Sequence, residues 1–172
     1  HIGRMLRDHS TNSIIDDDSL LEIVNHLNLS ASIIKDWDEK RELAHFNLRA
    51  GLYVQNSAAF EIAMSLFCSG LDLLTDQEWS SDRSLTMELH IAAAQAAYLT
   101  TDFQKMEQLA SKVLTSRPDQ LERLRIFEIM IQALMAQKQQ RKAIIMGLDA
   151  LNSLNINLPS DPTTHHILLR YS

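Results

Sequence analysis

Apolar residues recur three and four positions apart along most of the chain, and short polar breaks separate the apolar runs. This spacing is the period of amphipathic helices, and it predicts an all-α protein. The stripe Leu43, Phe46, Ala50 and Tyr53 indicates the buried face of the longest helix, over about residues 37–55. Further helices are predicted over about residues 57–74, 85–100 and 103–114, and another after Asp119. The helix predicted over about residues 139–154 has an apolar stripe of Ala143, Ile144, Gly147, Ala150 and Leu151.

Polar residues that can cap helices stand at several of the breaks. Asp102 follows a tight turn and is placed to cap the next helix, because a short acidic side chain accepts from the free N–H groups of the first turn. Asp119 with Glu122 has the spacing of a capping box, and so does Ser19 with Glu22. These signals predict three helix starts.

Small residues recur at matching places in successive helix pairs. Gly51 lies twelve residues before Ala63, and Ala94 lies twelve residues before Met106. Small side chains there let antiparallel helices approach closely, as in tetratricopeptide-type repeats. The turn positions Phe60, Phe103 and Gln140 are 43 and 37 residues apart, longer than the regular period of about 34. We therefore expect a right-handed α-solenoid of irregular, tetratricopeptide-like helix pairs.

The same pattern predicts how the chain is organised. Residues 1–36 are interpreted as an incomplete helix pair that continues from an upstream domain. Residues 37–158 are predicted to hold three helix pairs, at about 37–74, 82–116 and 119–155, and residues 159–172 to begin a further, truncated helix. Because residues 1–6 already read as the middle of a helix, we expect a segment of a larger protein.

Composition narrows the possible functions. With 45% hydrophobic residues but only four glycines and three prolines, the 172-residue chain has the make-up of a folded helical protein. A net charge of −6 disfavours binding to nucleic acid. No apolar run reaches the ~20 residues that span a bilayer. Cys68 is the single cysteine, which favours the reducing cytoplasm.

Residues with catalytic or metal-binding potential are scattered. The seven histidines include no pair one helical turn apart, which a helical zinc site needs. Cys68 lies in an apolar run and is predicted to be an inert core thiol. The chain has no glycine-rich phosphate loop. We therefore predict no enzyme activity, catalytic residue, cofactor or metal in this segment.

An interaction surface is the remaining kind of site, because solenoids bind partners in a concave groove lined by the first helix of each pair. A groove that grips a C-terminal carboxylate needs several cationic donors, but only one arginine and two glutamates are available here. A carboxylate-binding groove is therefore disfavoured. A mixed surface that packs on another domain or on another copy of the chain, and an ordinary solvated face, both remain open. The candidate surface consists of His45, Leu48, Leu52, Gln55, Glu88, Ile91, Gln95, Tyr98, Arg125, Glu128, Gln132 and Met135.

Several segments resemble one family. They are LLEIVNHLN at 20–28, ELAHFNLRAG at 42–51, SAAF at 57–60, GLDLL at 70–74 and HIGR at 1–4, with a further match at 147–159. Together they are similar to the helical region of large signalling proteins that combine a serine/threonine kinase, a STAND/AAA-type ATPase, a GAF sensor and often a histidine kinase. The resemblance implies a place between the ATPase and the sensor modules, and it carries over no catalytic residue.

The expected function is a non-catalytic scaffold or regulatory segment of such a multidomain kinase. It would make contacts with other domains of the same polypeptide or with a protein partner. The alternative is a free-standing adaptor that binds a peptide or partner helix in its groove. A third possibility, an all-α hydrolase or metal enzyme, would need clustered histidines and carboxylates, which the sequence does not supply.

Overall fold

The protein is described by a computed structural model, which covers residues 17–74, 82–156 and 158. Within these residues every long element is a helix and there is no strand, so the prediction of an all-α protein is confirmed. The expectations for residues 1–16, 75–81 and 159–172 lie outside the described residues. The described residues form seven α-helices, α1 (Asp17–Leu29), α2 (Trp37–Asn56), α3 (Phe60–Leu73), α4 (Arg83–Leu99), α5 (Phe103–Thr115), α6 (Gln120–Ala136) and α7 (Gln140–Ser153), with a short 3₁₀ turn at Ala31–Ile33.

Helix starts follow the capping rules at two of the three predicted places. The Asp102 carboxylate accepts from the backbone N–H of Lys105 at 3.0 Å. Asp119 and Glu122 form the predicted capping box, with the two bonds at 2.8 and 2.7 Å. The third prediction was wrong: α1 already begins at Asp17, so Ser19 lies inside the helix.

The turns inside the helix pairs share one backbone conformation. Ala58, Thr101 and Lys138 have φ between 59° and 62°, in the left-handed region. In each turn the N–H of the following residue donates to a carbonyl five residues earlier, at 2.8 to 3.0 Å. This is the Schellman arrangement, which satisfies carbonyls at a helix end. It also explains why α3 begins at Phe60 and not at the predicted residue 57, because residues 57–59 form the turn.

The chain divides into two compact units, His1–Arg117 and Pro118–Ser172. In the first unit each of α2 to α5 packs against the helix before it, and α2 also contacts α4. Close approach depends on glycine: a Cβ on Gly51 would lie 2.7 Å from Cδ1 of Phe67, and one on Gly70 would lie 2.9 Å from Cδ2 of Leu89. These two glycines therefore fix how near α3 comes to α2 and α4.

Helix α4 is buried on nearly every face. Its residues from Leu85 to Ala94 are all buried except Glu88, and Ala96 and Ala97 are buried as well. A helix that is apolar all round belongs in the middle of a structure. Its neighbours in the first unit are α2, α3 and α5.

The buried face of α2 differs from the predicted stripe. Leu43, Asn47, Gly51 and Val54 face the core together with Ala44 and Ala50, whereas Phe46 and Tyr53 are half-buried. The physical reason is that α3 packs on the Gly51 side, which turns Asn47 inward.

Burying Asn47 completely requires hydrogen bonds for its amide. Its Oδ1 accepts from Asn28 Nδ2 at 2.8 Å, and its Nδ2 donates to Asn28 Oδ1 and to the Leu43 carbonyl, each at 2.9 Å. The paired amides therefore join α1 to α2 through a polar contact at the edge of the core.

In the second unit α6 packs against α7. Ala143 and Ala150 are buried as their spacing suggests. The prediction that Ile144 is buried was wrong, since 63% of its surface is exposed. Gly147 is loosely surrounded by the described residues, among which a Cβ there would meet only Cδ1 of Ile131, at 3.9 Å.

Candidate interaction surface

The turns give the twelve predicted surface residues a common register. Four residues on each first helix lie 13, 10, 6 and 3 positions before the left-handed residue of the turn, which is Ala58 after α2, Thr101 after α4 and Lys138 after α6. Helix spacing puts residues three or four apart on the same face. The four predicted residues therefore occupy matching positions on α2, α4 and α6.

On α2 the predicted residues are accessible to different degrees. The side chain of His45 is 56% exposed and Leu52 is 43% exposed, while Leu48 and Gln55 are half-buried. His45 Nε2 lies 3.5 Å from Oδ2 of Asp82, the residue that caps α4. This contact ties the accessible side of α2 to the start of α4.

On α4 the predicted strip is interrupted. Ile91 is 1% exposed, so its assignment to the surface was wrong and it belongs to the core. The physical reason is the burial of α4 on nearly all faces, which leaves its apolar positions no open side. Gln95 is exposed, and Glu88 and Tyr98 are half-buried.

Gln55, one of the predicted surface residues on α2, has a buried side-chain oxygen. Its Oε1 is buried and has no hydrogen-bond partner among the residues that the structure describes. A buried acceptor without a partner is unfavourable by about 1–3 kcal/mol. The amide stands at the position on α2 equivalent to Tyr98 on α4, three residues before the turn.

The four residues on α6 belong to the second unit and are described separately. Glu128, Gln132 and Met135 are exposed, the last by 51%, and Arg125 is half-buried. Gln132 Nε2 donates to Glu128 Oε1 at 3.3 Å. This face is a mixed polar surface with one exposed apolar side chain.

Two titratable groups outside this surface have shifted pKa values. Burial lowers the pKa of His90, and Lys112 lowers it further, while a contact of Nδ1 with the Thr86 carbonyl at 2.8 Å opposes the shift. Burial also raises the pKa of the Cys68 thiol; nearby Lys105 lowers it and Asp72 raises it. Cys68 is half-buried and does not lie in the core as predicted.

Sequence reasoning did not find the amide pair of Asn28 and Asn47. The spacing of Asn47 could have indicated that it faces the core, because it lies four residues after Leu43 and four before Gly51, on the face where the small residues cluster. Among the described residues no group of three or more His, Cys, Asp or Glu side chains could hold a metal ion. No helix in that part of the chain has the length and apolar character needed to cross a bilayer.

Comparison with known proteins shows a similarity to part of a much longer protein. The chain is 26% identical over 105 residues to the hybrid signal transduction histidine kinase G of Dictyostelium discoideum. The similar region covers 56% of this chain and 3% of that protein. No protein-family model and no solved structure matches the chain. The similarity suggests that the chain has a signalling context.

Proposed function

We propose that this chain is a non-catalytic helical-repeat segment of a multidomain signal-transduction kinase. In this proposal its helix pairs stack as a right-handed, tetratricopeptide-like solenoid. The segment makes contacts between an ATPase module and the sensor and kinase modules of the same polypeptide. It changes their relative position or accessibility and takes no part in phosphoryl transfer.

The observation that carries the proposal is the repeated turn. Ala58, Thr101 and Lys138 have the same left-handed φ, and each is followed two residues later by the first residue of a helix. A conformation that most side chains disfavour, recurring at matching places, supports repeated helix pairs. Similarity to a hybrid histidine kinase supports the signalling context.

The accessible residues of the first unit favour contact with a protein surface over a small ligand. Leu52 and Gln95 are exposed on neighbouring helices, and Tyr98 is half-buried. Protein interfaces combine apolar and aromatic anchors with a polar rim, and these side chains supply both kinds of group. The burial of Ile91 interrupts the strip, which argues against a long peptide groove.

The decisive experiment measures binding between this chain and the ATPase module of its parent polypeptide, with ADP and with a non-hydrolysable ATP analogue. The proposal expects an affinity that differs between the two nucleotides by at least about fivefold, the lower end of typical allosteric coupling. Equal affinity in both states, or no binding at all, would refute the regulatory role. Capture of a short peptide by a chain that ignores the ATPase would favour the adaptor.

A matched pair of variants locates the contact. Leu52→Ser changes an aliphatic side chain that is 43% exposed on the candidate surface. Ile62→Ser changes one that is 51% exposed on α3, outside that surface. Both should leave the helix content unchanged, and only the Leu52 variant should weaken binding, by about tenfold if the residue is an interface anchor.

A further inference from the structure

The turn that ends α5 is held differently from the other left-handed turns. Among the described residues, φ lies between 56° and 62° at Ala58, Thr101, Arg117, Lys138 and Asn155. In four of these turns the left-handed residue donates to the carbonyl three residues earlier, and the next residue donates to the carbonyl five residues earlier, at 2.8 to 3.0 Å. At Arg117 neither amide bond is formed within the described part of the chain.

Proline accounts for one of the missing bonds and opposes the conformation of the turn. Pro118 has no N–H and cannot donate to the Val113 carbonyl, which is the acceptor equivalent to Val54 in the turn at Ala58. The residue before a proline prefers a φ of about −120°, whereas Arg117 has a φ of 56°. A left-handed φ is also unfavourable by itself for a residue other than glycine, by a factor of about 5–30 in population. Arg117 is therefore held against two local preferences.

Two side chains replace the missing amide bonds. The Ser116 hydroxyl donates to the Val113 carbonyl at 2.7 Å and lies 3.5 Å from Met87 Sδ. Arg83 Nη2 donates to the Arg117 carbonyl at 3.2 Å. Arg83 is the first residue of α4, so this bond joins the start of α4 to the end of α5. Because the guanidinium is charged, the bond is stronger than one between neutral groups. Arg83 thus acts directly on the strained residue.

The turn also lies where the two compact units meet in sequence, since the first unit ends at Arg117 and the second begins at Pro118. A change of φ at residue 117 changes the direction in which the chain leaves α5. We propose that Arg117 is a hinge with two backbone states and that Arg83 is the latch that holds it in the left-handed state. When the bond from Arg83 breaks, residue 117 moves to the extended conformation that proline favours. The inference is independent of the signalling role proposed above.

The test removes the guanidinium and measures the backbone conformation of residue 117. Arg83→Met keeps a long side chain but has no donor for the Arg117 carbonyl. The three-bond coupling between the amide and α protons of Arg117 reports φ, and NMR relaxation dispersion detects exchange between two states in microseconds to milliseconds. The ratio of the extended to the left-handed population should rise by about fivefold, the effect of losing one exposed hydrogen bond.

Arg141→Met is the matched control. Arg141 is exposed, contributes one positive charge as Arg83 does, and is the second residue of α7. This variant should leave the populations at residue 117 unchanged, and circular dichroism checks that both variants keep their helix content. Unchanged populations in Arg83→Met would overturn the proposal. An equal shift in both variants would also overturn it, because the effect would then come from net charge and not from the bond.

A second change tests whether proline is the reason that the latch is needed. Pro118→Ala restores an N–H that can donate to the Val113 carbonyl, and it removes the bias against a left-handed residue 117. In this background Arg83→Met should change the populations by less than about twofold, because an amide bond then closes the turn as it does after Thr101. A change of the same size in both backgrounds would contradict the proposal. Failure to bind the ATPase would leave these results unaffected.

Discussion

The glycines of α2 and α7 allow one substitution to be tested in two environments. Gly→Ala inside a helix normally stabilises by about 1 kcal/mol, because glycine has the lower helix propensity. At Gly51 the added Cβ would fall on the ring of Phe67, 2.7 Å from Cδ1 and 2.9 Å from Cζ. Phe67 is 0% exposed and cannot move aside freely. At Gly147 the nearest atom is Cδ1 of Ile131, at an ordinary contact distance of 3.9 Å.

The two variants should therefore change stability in opposite directions. Overpacking a core is unfavourable by about 1–3 kcal/mol, and the Gly51 contact belongs at the upper end. After subtracting the helix gain of about 1 kcal/mol, we expect Gly51→Ala to lower the free energy of unfolding by about 2 kcal/mol. Gly147→Ala should raise it by about 0.5–1 kcal/mol.

Urea unfolding measures both effects. Trp37 is the first residue of α2, so its fluorescence follows the first unit. Circular dichroism at 222 nm follows the helices of both units, α7 included. With a urea dependence of about 2 kcal/mol per molar, the Gly51 variant should shift the fluorescence midpoint down by about 1 M.

A second-site change tests the cause. Phe67→Leu removes the ring atoms that the new methyl group would meet, so Gly51→Ala should be less destabilising in that background. We expect a favourable coupling of about 1–3 kcal/mol in the double-variant cycle. If Gly51→Ala is stabilising, or is equally destabilising with either residue at position 67, the close-contact explanation is incorrect.

Three further predictions concern other parts of the first unit. The pKa of His90 is lowered from 6.5 in the folded state, so below about pH 6.5 the unfolded chain takes up a proton first and the free energy of unfolding falls. His90→Asn should flatten this loss between about pH 7.5 and 5.5 in urea titrations. Thr101→Gly should raise the thermal midpoint, with a gain of about 0.5–1 kcal/mol from relieved left-handed strain, and Thr100→Gly, where φ is −88°, should lower it. Asn28→Ala should lower the free energy of unfolding in urea by about 1–3 kcal/mol, because the buried Asn47 amide loses its bonds to Asn28. In a double-variant cycle, Asn47→Ala should lower the free energy of unfolding less in the Asn28→Ala background than in the unchanged chain.

The sequence predicted the helices and their turns well because these depend on local signals. Polar caps such as Asp102 and Asp119 act within a few residues, so they can be recognised without tertiary information. The start of α3 was misplaced because residues 57–59 carry no glycine to mark the left-handed turn, which is formed at Ala58.

Which side of each helix is buried was harder to predict. In α2 the large side chains Phe46 and Tyr53 suggested the core face, yet the small Gly51 brought α3 closer and turned Asn47 inward. On α4 apolar residues surround the helix, so periodicity cannot identify a surface, and Ile91 was misassigned for that reason. The register of the other predicted surface residues could be obtained because it depends only on counting back from a turn.

The alanines of α4 have a mechanical consequence. Ala92, Ala93, Ala94, Ala96 and Ala97 are at most 3% exposed, in a helix that contacts α2, α3 and α5. Alanine has no side-chain torsion that can rotate to absorb a displacement, and close-packed interiors resist compression. A push on one neighbouring helix is therefore transmitted through α4 as movement of whole helices. The middle of the first unit therefore deforms little, whereas the longer, half-buried side chains at its edges can change rotamer to absorb a displacement.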